Sequence, residues 1–90
     1  MHNEKRNFAR LALSARASIR RENRVIEGQV ENLSIRGAFI KAATRMNRND
    51  RVAVTIYHTL TPQALCDLDA TVVRVTEHGM GLQFEKSLLD

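Results

Sequence analysis

The chain predicts an all-β domain, a six-stranded antiparallel β-barrel, and three observations carry that expectation. Apolar residues alternate with polar ones at a period of two in several separate runs. Turn-forming residues punctuate those runs at short intervals, the spacing of an all-β sandwich or barrel rather than of strand-helix units. Ninety residues with 43% hydrophobic content suffice for one core and not two, so a single small barrel or sandwich is the economical outcome.

Residues 1–10 show no sustained period and are expected to form a flexible arm, with the barrel domain over residues 11–90. Leu11, Leu13, Ala15, Ala17 and Ile19 then alternate with Ala12, Ser14, Arg16, Ser18 and Arg20, which predicts a first strand with one buried face. Ala, Leu and Arg would suit a helix on propensity, but a helix would scatter these apolar positions around its circumference. Arg21-Glu22-Asn23 predicts a turn, and Ile26, Gly28 and Val30 form the inward set of a second strand, with a bulge or bend at Gly28. Asn32-Leu33-Ser34-Ile35-Arg36-Gly37 is a polar turn, followed by a short third strand to Lys41. Residues 42–49 predict a connection, with Met46 in loop or rim packing.

Val52, Val54 and Ile56 mark a fourth strand ending near Tyr57-His58, and Pro62 sits in the loop after it. The fifth strand, Leu65 to Thr76, changes its inward set from Leu68, Ala70 and Val72 to Val73 and Val75, which predicts a bulge near Val72. His78-Gly79 turns into a sixth strand with Met80, Leu82 and Phe84 inward. Residues 86–90 could begin a helix, but so short a tail supplies little stability of its own.

The formal net charge is +4, and it is unevenly spread. Lys5, Arg6, Arg10, Arg16, Arg20, Arg21 and Arg24 face only Glu4 and Glu22 within residues 1–24, a local balance of +5 that favours an anionic partner. Arg16, Arg20, Arg21 and Arg24 equally suit the wet face of a hairpin. No apolar run approaches the roughly 20 residues that cross a bilayer, and the N-terminus has no signal-peptide pattern, so a cytoplasmic location without membrane insertion is the default. The single Cys66 forms no internal disulfide and suits a small core or strand position. His2, His58 and His78 lack thiol or carboxylate neighbours at ligand spacing, which argues against a metal. Ser34 has no identifiable base to activate it, so no catalytic constellation supports an enzyme.

Two short motifs remain. Arg6 and Arg10 stand four apart, and Asn32, Ser34 and Gly37 follow in the polar turn. Together they resemble the signature of the PilZ domain, the bacterial receptor module for cyclic di-GMP: Arg-x-x-x-Arg, then Asp/Asn-x-Ser-x-x-Gly. Gly79-Met80-Gly81-Leu82-Gln83-Phe84 resembles that family's closing strand. The resemblance also implies six strands, together with a C-terminal helix that is abbreviated here and would leave an apolar patch for a partner. It implies no cofactor beyond the ligand, an Arg-x-x-x-Arg arm that closes over it, and Lys5 as an auxiliary basic contact. Arg36 occupies a position the family leaves open, where it could meet phosphate or simply point into water.

The chemistry fits. Cyclic di-GMP has two phosphodiesters and two guanines, and arginine's planar fork bonds either group bidentately. Arg6 and Arg10 lie roughly 13 Å apart when extended, so the arm must bend around a compact dinucleotide. Asn32 offers one acceptor and two donors to a guanine edge, the Ser34 hydroxyl can donate or accept, and Gly37 would keep space for the base. The same three residues also suit a simple turn. Expected partners are cyclic di-GMP and a downstream protein, and a homodimer is compatible with the sequence. Two other readings compete: single-stranded nucleic-acid binding, poorly supplied with only Phe8, Phe39, Tyr57 and Phe84 as aromatics, and a protein-interaction adaptor without nucleotide, which the intact arginine motif argues against.

Overall fold

A computed structural model describes residues 15–60 and 63–86. The elements are β1 (Ala15–Arg21), β2 (Arg24–Leu33), β3 (Gly37–Lys41), β4 (Arg51–His58), β5 (Ala64–Val75) and β6 (Gly79–Phe84). Every pairing is antiparallel, and the order β1-β2-β3-β6-β5-β4 closes on itself because β1 also pairs with β4. The expected six-stranded barrel is therefore the observed one, and closure removes the exposed sheet edges that would otherwise invite aggregation. No helix occurs among the described residues; of the expected helical tail over residues 86–90, Lys86 is a bend and the rest lies outside them.

The period of two fills the barrel. Ala15, Ala17 and Ile19 from β1, Val52, Val54 and Ile56 from β4, and Met80, Leu82 and Phe84 from β6 are all buried, as their alternation predicts. Their interleaved polar neighbours face water, and no polar or charged residue is buried among the described residues. Between β1 and β2, Glu22 takes a left-handed φ of 56°, which the Arg21-to-Arg24 turn requires.

The connection from β3 to β4 crosses the barrel end that also holds the β1–β2 and β5–β6 turns. Met46 within it is only 2% exposed, which corrects its expected place at the rim: its flexible thioether chain plugs the core at that end. Arg45 holds the plug by donating to the Glu77 carbonyl at 2.8 Å. The opposite end carries the entry of the chain at Ala15, the 34–36 loop, the end of β4 and the exit of β6.

Cys66 pairs with Ile56 across β5 and β4 and packs half-buried against the core. Burial, and secondarily the Asp67 carboxylate, pushes its thiol pKa up. Since the thiolate is the reactive form, alkylation by iodoacetamide at pH 8 is expected to be several-fold slower in the folded protein than in urea. Equal rates would show that the thiol is not protected.

Candidate ligand-binding site

Two irregularities in the strands create the site. On β2 the even-numbered residues Ile26, Gly28 and Val30 point inward; the register then slips between Val30 and Asn32, leaving Glu31 without a partner. After the slip Leu33 is the buried residue and Asn32 is turned outward. The sequence places this break at Gly28, but pairing is continuous there. A Cβ on Gly28 would instead meet the Ile40 side chain and the Lys41 carbonyl, each at 2.6 Å, so glycine answers crowding.

On β5 the same event occurs between Val72 and Arg74, where a bulge is expected from the sequence. Its effect differs from the expectation in one respect. Val73, the extra residue, is exposed, and Val75 remains 40% exposed although it pairs with Met80. What the bulge accomplishes is to turn Arg74 outward, since Val72 with the same parity is fully buried. Each bulge thus re-aims one polar side chain onto the same outer face.

Register then sets these residues in a row. Asn32 pairs with Phe39, Phe39 with Gly81, and Gly81 with Arg74, so the four lie side by side across β2, β3, β6 and β5. The row forms the floor of a groove of about 380 Å³, to which Ser34 and Gly37 also contribute. A second concavity of about 400 Å³ adjoins it, sharing Phe39 and Arg74 and adding Glu31, Lys41, Thr76 and His78. The Arg74 guanidinium carbon lies 6.0 Å from the centre of the Phe39 ring, and Arg74 forms no ion pair with any described residue.

The Ser34–Gly37 corner closes a two-residue turn. Both the backbone N–H of Ser34 (2.8 Å) and its hydroxyl (3.2 Å) donate to the Gly37 carbonyl, while the Phe84 N–H donates to the Arg36 carbonyl at 2.8 Å. The Ser34 hydroxyl therefore spends its proton on the turn and presents lone pairs to the groove. Asn32 belongs to β2 and not to the loop. Gly37 faces the backbone of β6: a Cβ there would lie 2.3 Å from the Leu82 carbonyl oxygen. The space that Gly37 provides is thus used by strand pairing, and Gly81 is the residue whose missing side chain opens the groove. Arg36 is exposed at the turn.

Lys5, Arg6 and Arg10 lie outside the described residues. Their point of attachment does not. Arg16 pairs with Gln29, so Ala15 enters beside the part of β2 that leads to Asn32, roughly 10 Å or less away at ordinary strand spacing. Arg10 precedes Ala15 by five residues, a reach of up to roughly 17 Å.

A wider concavity, about 600 Å³, lies near the β1–β2 turn, but its charges compensate one another. Arg21 pairs with Asp50 at 3.6 Å and with Glu22 at 3.4 Å, and Arg51 pairs with Glu85. His58 Nδ1 accepts from the Leu60 N–H at 3.2 Å, and no group of residues suited to a metal ion occurs among the described residues.

A family model described as the PilZ domain matches residues 4–89. The chain belongs to the PilZ domain family. This places it among receptor and adaptor modules for cyclic di-GMP, and the match spans Arg6 and Arg10 as well as the barrel. Searches of curated proteins and of solved structures returned no match. Among the described residues, no helix of this PilZ domain is long and apolar enough to cross a membrane. Phe39, Gly81 and Arg74 are the groove residues that motif reading misses. The break of period at Val72-Val73, followed at once by arginine, is the signal that could have found the last of them.

Proposed function

We propose that this PilZ domain is a cytoplasmic receptor for cyclic di-GMP, a binding module and not an enzyme. The ligand lies in the groove between the Ser34–Gly37 corner and Arg74. Arg6 and Arg10 close over its phosphates and guanine edges, with Lys5 and Arg36 as auxiliary cations. Asn32 meets a guanine edge, and occupancy orders the arm and changes the surface offered to a protein partner. The observation that carries this reading is that Asn32 is turned into a groove on the strand beside which the chain enters the barrel.

The nucleic-acid alternative draws less support. Tyr57, the other partly exposed aromatic among the described residues, donates its hydroxyl to Glu27 at 2.5 Å, which leaves Phe39 alone in the groove. Strand-tracking surfaces need successive stacking rings.

Titration calorimetry of the purified protein with cyclic di-GMP, cyclic di-AMP and GTP tests the proposal. Binding is expected for the first and at least tenfold weaker for the others. Asn32→Ala, which removes hydrogen bonds to a neutral edge, is expected to weaken cyclic di-GMP roughly two- to tenfold. No heat with cyclic di-GMP, or equal affinity for all three nucleotides, would overturn it.

A further inference from the structure

Resting on that reading, the geometry points to a base-stacking notch outside both sequence motifs: one guanine of the ligand lies over Gly81, its face on the Phe39 ring and its other face under the Arg74 guanidinium. The register makes Gly81 the middle member of three outward positions, Phe39, Gly81 and Arg74. Strands about 4.8 Å apart put the outer two roughly 10 Å from each other, with nothing projecting between them. The Arg74 side chain leans into that gap. A Cβ on Gly81 would touch Arg74 Cβ at 3.2 Å and Cδ at 4.0 Å, with the Phe39 Cδ2 at 3.9 Å.

The guanidinium carbon at 6.0 Å from the ring centre sits close to the spacing of a sandwich. A planar base in van der Waals contact on both faces needs about 7 Å, so the flexible arginine has only about an ångström to give. Arginine is suited to this because its plane stacks as well as carrying charge; a lysine ammonium supplies only the charge. With no ion pair to a described residue, Arg74 gives up no carboxylate when it swings over the base.

Calorimetry with cyclic di-GMP on wild type, Gly81→Leu, Arg74→Lys and Arg74→Ala tests the notch. Gly81 is on the outer face, so the leucine variant is expected to keep a melting temperature near wild type while filling the notch and weakening binding at least about tenfold. Arg74→Lys is expected to lose nearly as much affinity as Arg74→Ala. Phe39→Trp supplies an optical readout, its fluorescence quenched on ligand addition by the stacked base. Wild-type affinity in Gly81→Leu, full affinity in Arg74→Lys, or unquenched tryptophan fluorescence in a Phe39→Trp protein that binds would each overturn the notch while leaving the receptor reading intact. A wild type that does not bind cyclic di-GMP overturns both.

Discussion

Gly37→Ala is expected to lower the melting temperature by roughly 5–20 °C, while Gly81→Ala, on the strand that Gly37 packs against, is expected to leave it within a few degrees. Neither glycine takes a positive φ, so the difference is one of space. A methyl on Gly37 would stand 2.3 Å from the Leu82 carbonyl oxygen and 3.6 Å from the Gln83 Cα, all backbone of β6. Relief requires β3 and β6 to separate by about 1 Å, which carries their hydrogen bonds beyond bonding distance. The Phe84-to-Arg36 bond that ties the turn to β6 goes with them. Overpacking of this kind costs about 1–3 kcal/mol, and each kcal/mol moves a domain of this size by about 4–8 °C. At Gly81 the nearest obstacle is the Arg74 Cβ at 3.2 Å, which asks β5 and β6 to give by only a few tenths of an ångström, and the next nearest atoms, at 3.9 and 4.0 Å, are ordinary contacts with the Phe39 and Arg74 side chains. Thermal unfolding of the two variants decides the matter: a Gly37→Ala protein as stable as wild type would mean that β3 and β6 tolerate the separation.

The two glycines mark the boundary of what the sequence discloses. The period of two located all six strands, because each buries one face and alternation is the direct imprint of that burial. Ala15, Ala17, Ile19, Val52, Val54 and Ile56 could be named as core before any coordinates. The candidate site was legible only in part, for a reason inherent in the same rule. A bulge inverts the meaning of parity, and Asn32 and Arg74 both lie just past one. Asn32 carries the parity of inward-facing Val30, and Arg74 that of inward-facing Val72. For β5 the doubled valine exposed the break; for β2 nothing in Val30-Glu31-Asn32 distinguishes a bulge from the start of a loop, so β2 ends at Leu33 and not at Val30. Gly37 and Gly81 illustrate a second limit. Each glycine is a place with no side chain, and only the neighbouring strand tells whether that place is taken by protein or left open to a ligand.

Arg6→Ala combined with Arg10→Ala is expected to weaken cyclic di-GMP binding by roughly a hundred- to ten-thousandfold without moving the melting temperature. Each guanidinium supplies charge-assisted hydrogen bonds worth about 1.5–3 kcal/mol, and two of them acting on one ligand give about 3–6 kcal/mol. The buried core of the described residues is apolar throughout, from Ala15 to Phe84, so the expected loss is one of affinity and not of stability. General attraction by the basic N-terminal third is the competing explanation, and the barrel offers internal controls for it. Arg20 donates to the Thr55 hydroxyl at 2.8 Å and Arg24 to the Arg45 carbonyl at 3.3 Å, both held on the barrel surface by local partners. Arg20→Ala with Arg24→Ala removes the same two charges. If affinity comes from long-range field alone, both double variants lose it equally, and both losses vanish near 1 M salt, where the screening length falls to about 3 Å. If Arg6 and Arg10 form a bidentate clamp, their loss is far larger, persists in salt, and is only partly restored by lysine at both positions, since an ammonium keeps the charge and lacks the fork. Calorimetry at two ionic strengths separates these outcomes, and equal losses from the two pairs would remove the arm from the binding site.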